Sequence, residues 1–334
     1  MSARHASPLR RRLAVVGLLG LGVSTTLAAC GSSSDDKAGA DGGTLRVTTL
    51  GLCNEVVYWA QEKGLFADHG VEVELVKSTG GAAALTALQS GDIDLAFANP
   101  FSTMLAIDQG LDLKWIATAY ETTTVEADAA NAMVVAKDAG ISDAAGLNGK
   151  TIGVNEVGGI NQIASSQWMK LEGGDPSSVK FVALPFNELA SAVASGKVAA
   201  AQVPAQNVDP ELGLVSLGDP YVVAGEGSSL VFAGYVATGK EAKAKEKDLK
   251  AFQDALIETN EAFNDPANDD ERFKLASAQC KQDPAVLKTL PENIYEARVD
   301  TGALERMGEI LVGQDRLDDP PSPDDFVPSY VTTK

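Results

Sequence analysis

One pattern occurs twice in this chain and limits its fold to a small set of architectures. A turn, a short apolar helix, a Ser-Gly stop, an apolar strand and a closing proline follow one another in each half. The first copy starts at Ser78-Thr79-Gly80-Gly81, with a helix predicted over 82–89, the stop at Ser90-Gly91, a strand over 93–98 and then Asn99-Pro100. The second starts at Pro185-Phe186-Asn187, with a helix over 188–194, the stop at Ser195-Gly196, a strand over 199–203 and then Pro204. Upstream of each lies a strand, a glycine-containing turn and an apolar helix. These are 44–50, Gly51 to Asn54 and 55–63 in the first half, and 151–155, Val157-Gly158-Gly159 and 161–172 in the second. Strands alternating with short helices make an α/β fold with mostly parallel sheets. Two such lobes, each open at the carboxyl ends of its strands, form a cleft where those edges face each other.

Further strands are predicted over 71–76, 113–120, 132–136, 179–184 and 230–237, and 214–217 leads back toward the first lobe. A single charged helix is expected over 240–263, with Leu249, Phe252, Ala255, Leu256 and Phe263 on one face. Shorter helices follow around 271–280, 284–290 and 304–312, and the proline-rich acidic tail, 318–326, is expected to be extended.

The amino terminus is read separately. Arg10-Arg11-Arg12 precedes an apolar run over 13–23 that is too short to span a bilayer, and Leu27-Ala28-Ala29-Cys30 closes it. This is the layout of a cleaved signal peptide over 1–29. Gly31 to Gly43 is rich in Gly, Ser and Asp and has nothing to bury, so 30–43 reads as a flexible tether.

Apolar residues make up 45% of the 334, a globular composition, and the formal charge is −19. Without Arg4, Arg10, Arg11 and Arg12 of the leader, 23 basic residues face 46 acidic ones, a charge of −23. Such a surface repels nucleic acid and anionic membrane. His5 and His69 are the histidines, and His5 is in the leader. No zinc site, His-based triad or other cofactor is expected. Asp92 and Asp94 alternate along a strand, so they point to opposite faces and make no catalytic pair. Cys53 and Cys280 are far apart in sequence, and whether they are bridged stays open.

The chain resembles the solute-binding lipoproteins of ABC importers. It is most similar to the branch with taurine, alkylsulfonate and nitrate binders and the NMT1/THI5-like pyrimidine binders. The resemblance rests on Leu27 to Cys30, Trp59-Ala60-Gln61-Glu62-Lys63-Gly64-Leu65-Phe66, Ser78 to Gly81, Leu88-Gln89-Ser90-Gly91-Asp92-Ile93-Asp94, the run Gly146 to Val154, and Ser195-Gly196. It implies a type II periplasmic-binding-protein clamshell, with lobe one at 44–122 plus 224–330, lobe two at 128–218, and hinges near 121–128 and 218–225. It implies that Cys30 is lipidated and anchors a monomer to the outer face of a bacterial cell membrane, with no other membrane contact. It also implies a binding component, not an enzyme, that hands a sulfonate-, nitrate-, aromatic acid- or pyrimidine-like solute to permease subunits and their ATPase. The alternatives are a ligand-sensing lipoprotein on the same clamshell and a THI5-like pyrimidine-synthesis enzyme.

Ligand-binding candidates are the donors that sit after strands or at helix starts. In lobe one they are Asn54, Thr79, Gly80, Gly81, Asn99 and Phe101, with Glu121 near a hinge. In lobe two they are Asn155, Gly158, Gly159, Asn161 and Gln206. Amide side chains both donate and accept, which suits a polar solute. Asn54, Asn155 and Asn161 also read as turn or cap residues, Phe101 as core, and Tyr58 and Trp59 as packing. No arginine is placed to clamp a dianion.

Overall fold

The computed structural model describes residues 43–205 and 210–334. The signal peptide, Cys30, the tether up to residue 42 and Gln206 lie outside the described residues. Among the described residues no helix is long and apolar enough to cross a membrane.

The β-branched and apolar runs pair into sheets that define two lobes. In the first, β1 (Leu45–Thr49) pairs in parallel with β2 (Val73–Lys77). α1 (Val57–Lys63) and α2 (Leu65–Asp68) connect them, and α1 turns its apolar residues Val57, Trp59 and Ala60 inward. α3 (Gly81–Ser90) leads to β3 (Ala96–Ala98), which a parallel bridge between Val47 and Leu95 ties to β1. α4 (Pro100–Asp108) then leads to β4 (Leu113–Glu121). In the second lobe the strands are β5 (Asn131–Ala136), β6 (Thr151–Val154), β7 (Lys180–Ala183), β8 (Ala200–Pro204) and β9 (Leu214–Ser216). α5 (Ile160–Leu171) and α6 (Phe186–Ala194) join β6 to β7 and β7 to β8. After β9, α7 (Pro220–Ala224) lies against α5, and β10 (Val231–Thr238) re-enters the first lobe. The carboxyl-terminal part is helical: α8 (Gly239–Ala244), α9 (Glu246–Phe263), α10 (Asp269–Cys280), α11 (Pro284–Leu287), α12 (Thr301–Gly313) and α13 (Pro323–Phe326).

The α/β clamshell class holds, but the pairing is more mixed than mostly parallel. β10 lies antiparallel between β3 and β4, and β5 lies antiparallel to both β8 and β9. The strand orders are β2-β1-β3-β10-β4, counting the bridge, and β7-β6-β8-β5-β9. The two match position for position. In each sheet the reversed strand is the one that has just arrived from the other lobe.

Other expectations are corrected. The stretch 214–217 is an edge strand of the second sheet and not a path back to the first. The helix over 240–263 breaks at Lys245, which has φ −119° and whose ammonium reaches the buried Asp94 at 2.6 Å. Asp94 also pairs with Arg46 at 2.9 Å. It is a structural ion pair, and these two cations hold its carboxyl at about 2 against the cost of burial. The tail is not simply extended: it forms α13, buries Phe326, and its last residues run beside Val299.

The first lobe has one large apolar core. At its centre Gly234 of β10 sits under Trp115, and a Cβ there would lie 2.2 Å from the indole and 2.4 Å from the Ala117 carbonyl. Only glycine lets these strands approach so closely. The second sheet has apolar clusters on its two faces, around Met133, Ile152 and Trp168 on one and Val134, Leu189 and Val203 on the other.

Candidate functional site

The carboxyl ends of β1, β3 and β4 in the first lobe face the turn after β6 in the second, and a narrow cavity of about 30 Å³ lies between them. Its first-lobe wall is Leu50, Leu52, Gly81, Phe97, Asn99, Tyr120 and Phe232; its second-lobe wall is Asn155, Glu156, Ile160, Asn161 and Phe186. It continues outward, past Leu50, Leu52, Asn155 and Phe186, into a wide mouth of about 700 Å³ that includes Lys77, Thr79, Gly80, Asn187 and Lys281.

Most of this wall is set by local chemistry. Gly51 has φ +76°, which lets the chain turn sharply after β1. Glu55 then folds back and accepts the N–H groups of Leu50, Gly51 and Leu52 at 2.7, 2.7 and 2.8 Å. Burial raises the Glu55 carboxyl to about 7, outweighing the three N–H donors. A disulfide joins Cys53 to Cys280, with the Cα atoms 5.1 Å apart, and so ties this turn to the end of α10. Asn99 caps α4, accepting the Ser102 N–H at 2.9 Å, and Pro100 occupies the first helical position. In the second lobe Gly158 has φ +84°, and its N–H is accepted by Gln162 at 2.7 Å. Asn161 accepts from the Tyr221 hydroxyl at 2.7 Å. Its amide donates at 3.4 Å to the Gln202 carbonyl, and Ser165 donates to the Gln202 side chain at 2.7 Å.

The cavity is aromatic on one side. Tyr120 stacks on Phe232 with ring centroids 5.1 Å apart and tilts toward Phe97 at 6.4 Å. Yet the Tyr120 hydroxyl, on a residue 1% exposed, has no hydrogen bond within the protein that meets normal geometry. Asn54 is its polar neighbour, and the Asn54 and Asn155 carbonyl oxygens are likewise buried and unpaired. Polar groups left this way at a cavity wall are places where a ligand or water completes the hydrogen bonding. Among the described residues no group of three or more His, Cys, Asp or Glu is arranged to hold a metal ion.

Of the expected residues, Gly81, Asn99, Asn155 and Asn161 meet in the cavity, and Thr79 and Gly80 line its mouth. Gly80 is extended, with φ 171°, and a Cβ there would meet nothing within 4 Å, so neither backbone nor packing requires glycine. Gly158 and Gly159 shape the start of α5 without lining the cavity. Asn54 lines a neighbouring apolar hollow with Phe263, Arg272 and Tyr295. Phe101 is fully buried in the core, the other reading it had. Glu121 is 1% exposed, accepts from Ser229 at 2.8 Å and pairs with Lys334 at 2.9 Å; it faces away from the cavity.

Tyr120, Phe97, Phe232, Phe186 and Glu156 were missed. The aromatics read as ordinary strand and helix residues. Glu156 had a detectable signal: Asn-Glu-Val occurs after β1 as Asn54-Glu55-Val56 and after β6 as Asn155-Glu156-Val157. Its carboxylate lies 3.4 Å from where a Cβ on Gly159 would be and 3.6 Å from one on Gly81, so it sits between the starts of α3 and α5. Burial raises its carboxyl above the usual range, and the Ala82 N–H opposes that rise.

A family model described as NMT1/THI5 like matches residues 55–268. No curated protein matches the chain in sequence. Among solved structures, a zinc-bound ligand-binding component of an ABC-type import system from Staphylococcus aureus is 18% identical. It covers 86% of this chain and 97% of its own, with a TM-score of 0.69. The periplasmic aliphatic sulphonate-binding protein of Escherichia coli is 15% identical over 85% of this chain and 97% of its own, at 0.67. The periplasmic nitrate-binding protein of Synechocystis is 14% identical over 85% and 84%, at 0.63. At these identities the likeness is one of fold.

Proposed function

The chain belongs to the NMT1/THI5-like family, and we propose that it is the extracytoplasmic substrate-binding component of an ABC importer. It captures a small organic solute between its lobes and delivers it to permease subunits served by an ATPase. The observation that carries this reading is the cavity itself. It is built from both lobes, walled by aromatic rings, and holds buried polar atoms with no partner in the protein. A solute there touches both lobes at once and so favours the closed state, which is the signal a permease can recognise.

The solute class is sulfonate-, nitrate-, aromatic acid- or pyrimidine-like. The protein binds without turnover, and a THI5-like synthesis reaction is the activity whose detection would overturn that. Lobe one is 44–122 plus 224–330 and lobe two 128–218, with hinges between them. Residues 1–29 are removed on export, Cys30 carries the lipid anchor, 30–43 is the tether, and the mature protein is a monomer on the outer face of the cell membrane.

A thermal-shift screen over sulfonates, nitrate, aromatic carboxylates and pyrimidines tests the reading. A ligand held only by the folded state raises the melting temperature by mass action. At least one solute is expected to do so in a 1:1 complex. A screen in which none does, while the protein binds a macromolecule tightly, would sink the importer assignment.

A further inference from the structure

We infer that Glu156 sets the charge preference of the cleft: it occupies the place where an oxyanion would sit and makes the protein select a flat head group bearing N–H donors or positive charge. This rests on the binding reading above and narrows it. The helices α3, of ten residues, and α5, of twelve, both begin at the cavity. Two helix starts and their free N–H groups form a ready anion site. The Glu156 carboxylate already lies there, within ordinary contact distance of both Gly81 and Gly159.

That carboxylate is poorly satisfied. The Ala82 N–H, from the opposite lobe, faces it without making a hydrogen bond of normal geometry. Among the described residues no lysine, arginine or histidine pairs with it, although fourteen ion pairs are found elsewhere, most of them on the surface. A carboxylate has about four acceptor sites, so most of its capacity faces the cavity. An incoming sulfonate or nitrate meets a like charge in a partly desolvated place, which is strongly unfavourable. An N–H donor meets the reverse. The second, independent sign of a ligand is the Tyr120 hydroxyl, on a residue 1% exposed on the wall of the same cavity: its polar neighbour Asn54 approaches it without a hydrogen bond of normal geometry. The rings of Phe97, Tyr120 and Phe232 give a planar head a surface to lie on.

The test uses two probes of one shape and opposite charge, benzamidine and benzenesulfonate, titrated calorimetrically into the mature protein and into Glu156→Gln. The wild type is expected to bind benzamidine at least about tenfold more tightly than benzenesulfonate. Glu156→Gln, with its fold checked by circular dichroism, should shrink or reverse that ratio by about tenfold or more, the size of one lost charge-assisted contact. Benzenesulfonate binding the wild type as well as benzamidine, no benzamidine binding at all, or an unchanged ratio in Glu156→Gln would each overturn the inference. In those cases stabilisation by another solute in the thermal-shift screen would leave the importer reading standing.

Discussion

The turn after β1 and the turn after β6 occupy the same place in matching sheets, and each carries Asn-Glu-Val. They use the glutamate in opposite ways. Glu55 folds back on its own turn and ties three backbone N–H groups together, and the Cys53–Cys280 disulfide pins the same turn to α10. Glu156 leaves its own turn and reaches the start of α3 in the other lobe. The first turn is a fixed wall. The second satisfies its own backbone through Gln162 and so releases its glutamate for the cleft. Equivalent sequence in equivalent places thus divides into a structural role and a recognition role, and the side chain that satisfies the local N–H groups decides which.

The largest expected difference lies in the cross-link. Replacing Cys53 and Cys280 together by serine removes a tie between distant parts of the chain and should lower unfolding free energy by roughly 4 kcal/mol. The second turn has no such tie among the described residues. A loss near zero on denaturant unfolding would mean that the first turn owes its rigidity to Glu55 alone.

Next comes the contrast between the glutamates. Glu55→Ala strands three N–H groups in a turn that water reaches only in part, at a cost of roughly 3 kcal/mol. Glu156→Ala removes an unpaired carboxylate from the cleft and should leave stability within about 0.5 kcal/mol of the wild type. Equal losses in the two variants would mean that both glutamates hold their own turns.

A smaller effect follows from pH. The Glu55 carboxyl rises from 4.5 to about 7 on folding. Between those values the folded state holds the proton and the unfolded state does not. The Glu55 contribution to stability is therefore greatest below 4.5 and falls as pH rises toward 7, by an amount on the order of 2 kcal/mol between pH 5 and 7.5. Asp219, which caps α7 and is raised by burial to about 7, acts in the same direction. Glu55→Gln should remove the first-lobe share of this slope and keep the Asp219 share. A slope unchanged in Glu55→Gln would place the proton elsewhere.

Much of the fold could be read from the chain because alternating strands and helices, Gly stops and the Asn99-Pro100 cap are local signals. The two-lobe plan followed from their repetition. What could not be read depends on contacts between distant residues. The reversed β5 and β10 require knowing which lobe a strand arrives from. The break at Lys245 depends on Asp94, more than a hundred residues away. At the site, Asn99, Asn155, Asn161 and Gly81 were legible because caps and helix starts have their own sequence signals. Glu121 and Phe101 looked alike from local pattern and were separated from the cavity only by packing. Glu156 was passed over because its partner lies in the other lobe, and only the matching Asn-Glu-Val of the first turn hinted at it.

The smallest effect tests the release of Glu156 directly. Gln162 accepts the Gly158 N–H four residues away, on a half-buried and partly wet stretch. Gln162→Ala removes that acceptor, but water can replace it, so stability should fall by about 0.5 kcal/mol. The consequence for the cleft is more telling than the loss. With Gly158 no longer held by Gln162, Glu156 gains a reason to turn back onto its own N–H groups, as Glu55 does in the first lobe. The benzamidine preference should then weaken while the fold holds. If Gln162→Ala instead costs as much as Glu55→Ala, the second turn leans on its own side chains as heavily as the first. The division of roles between the two glutamates would then need another cause.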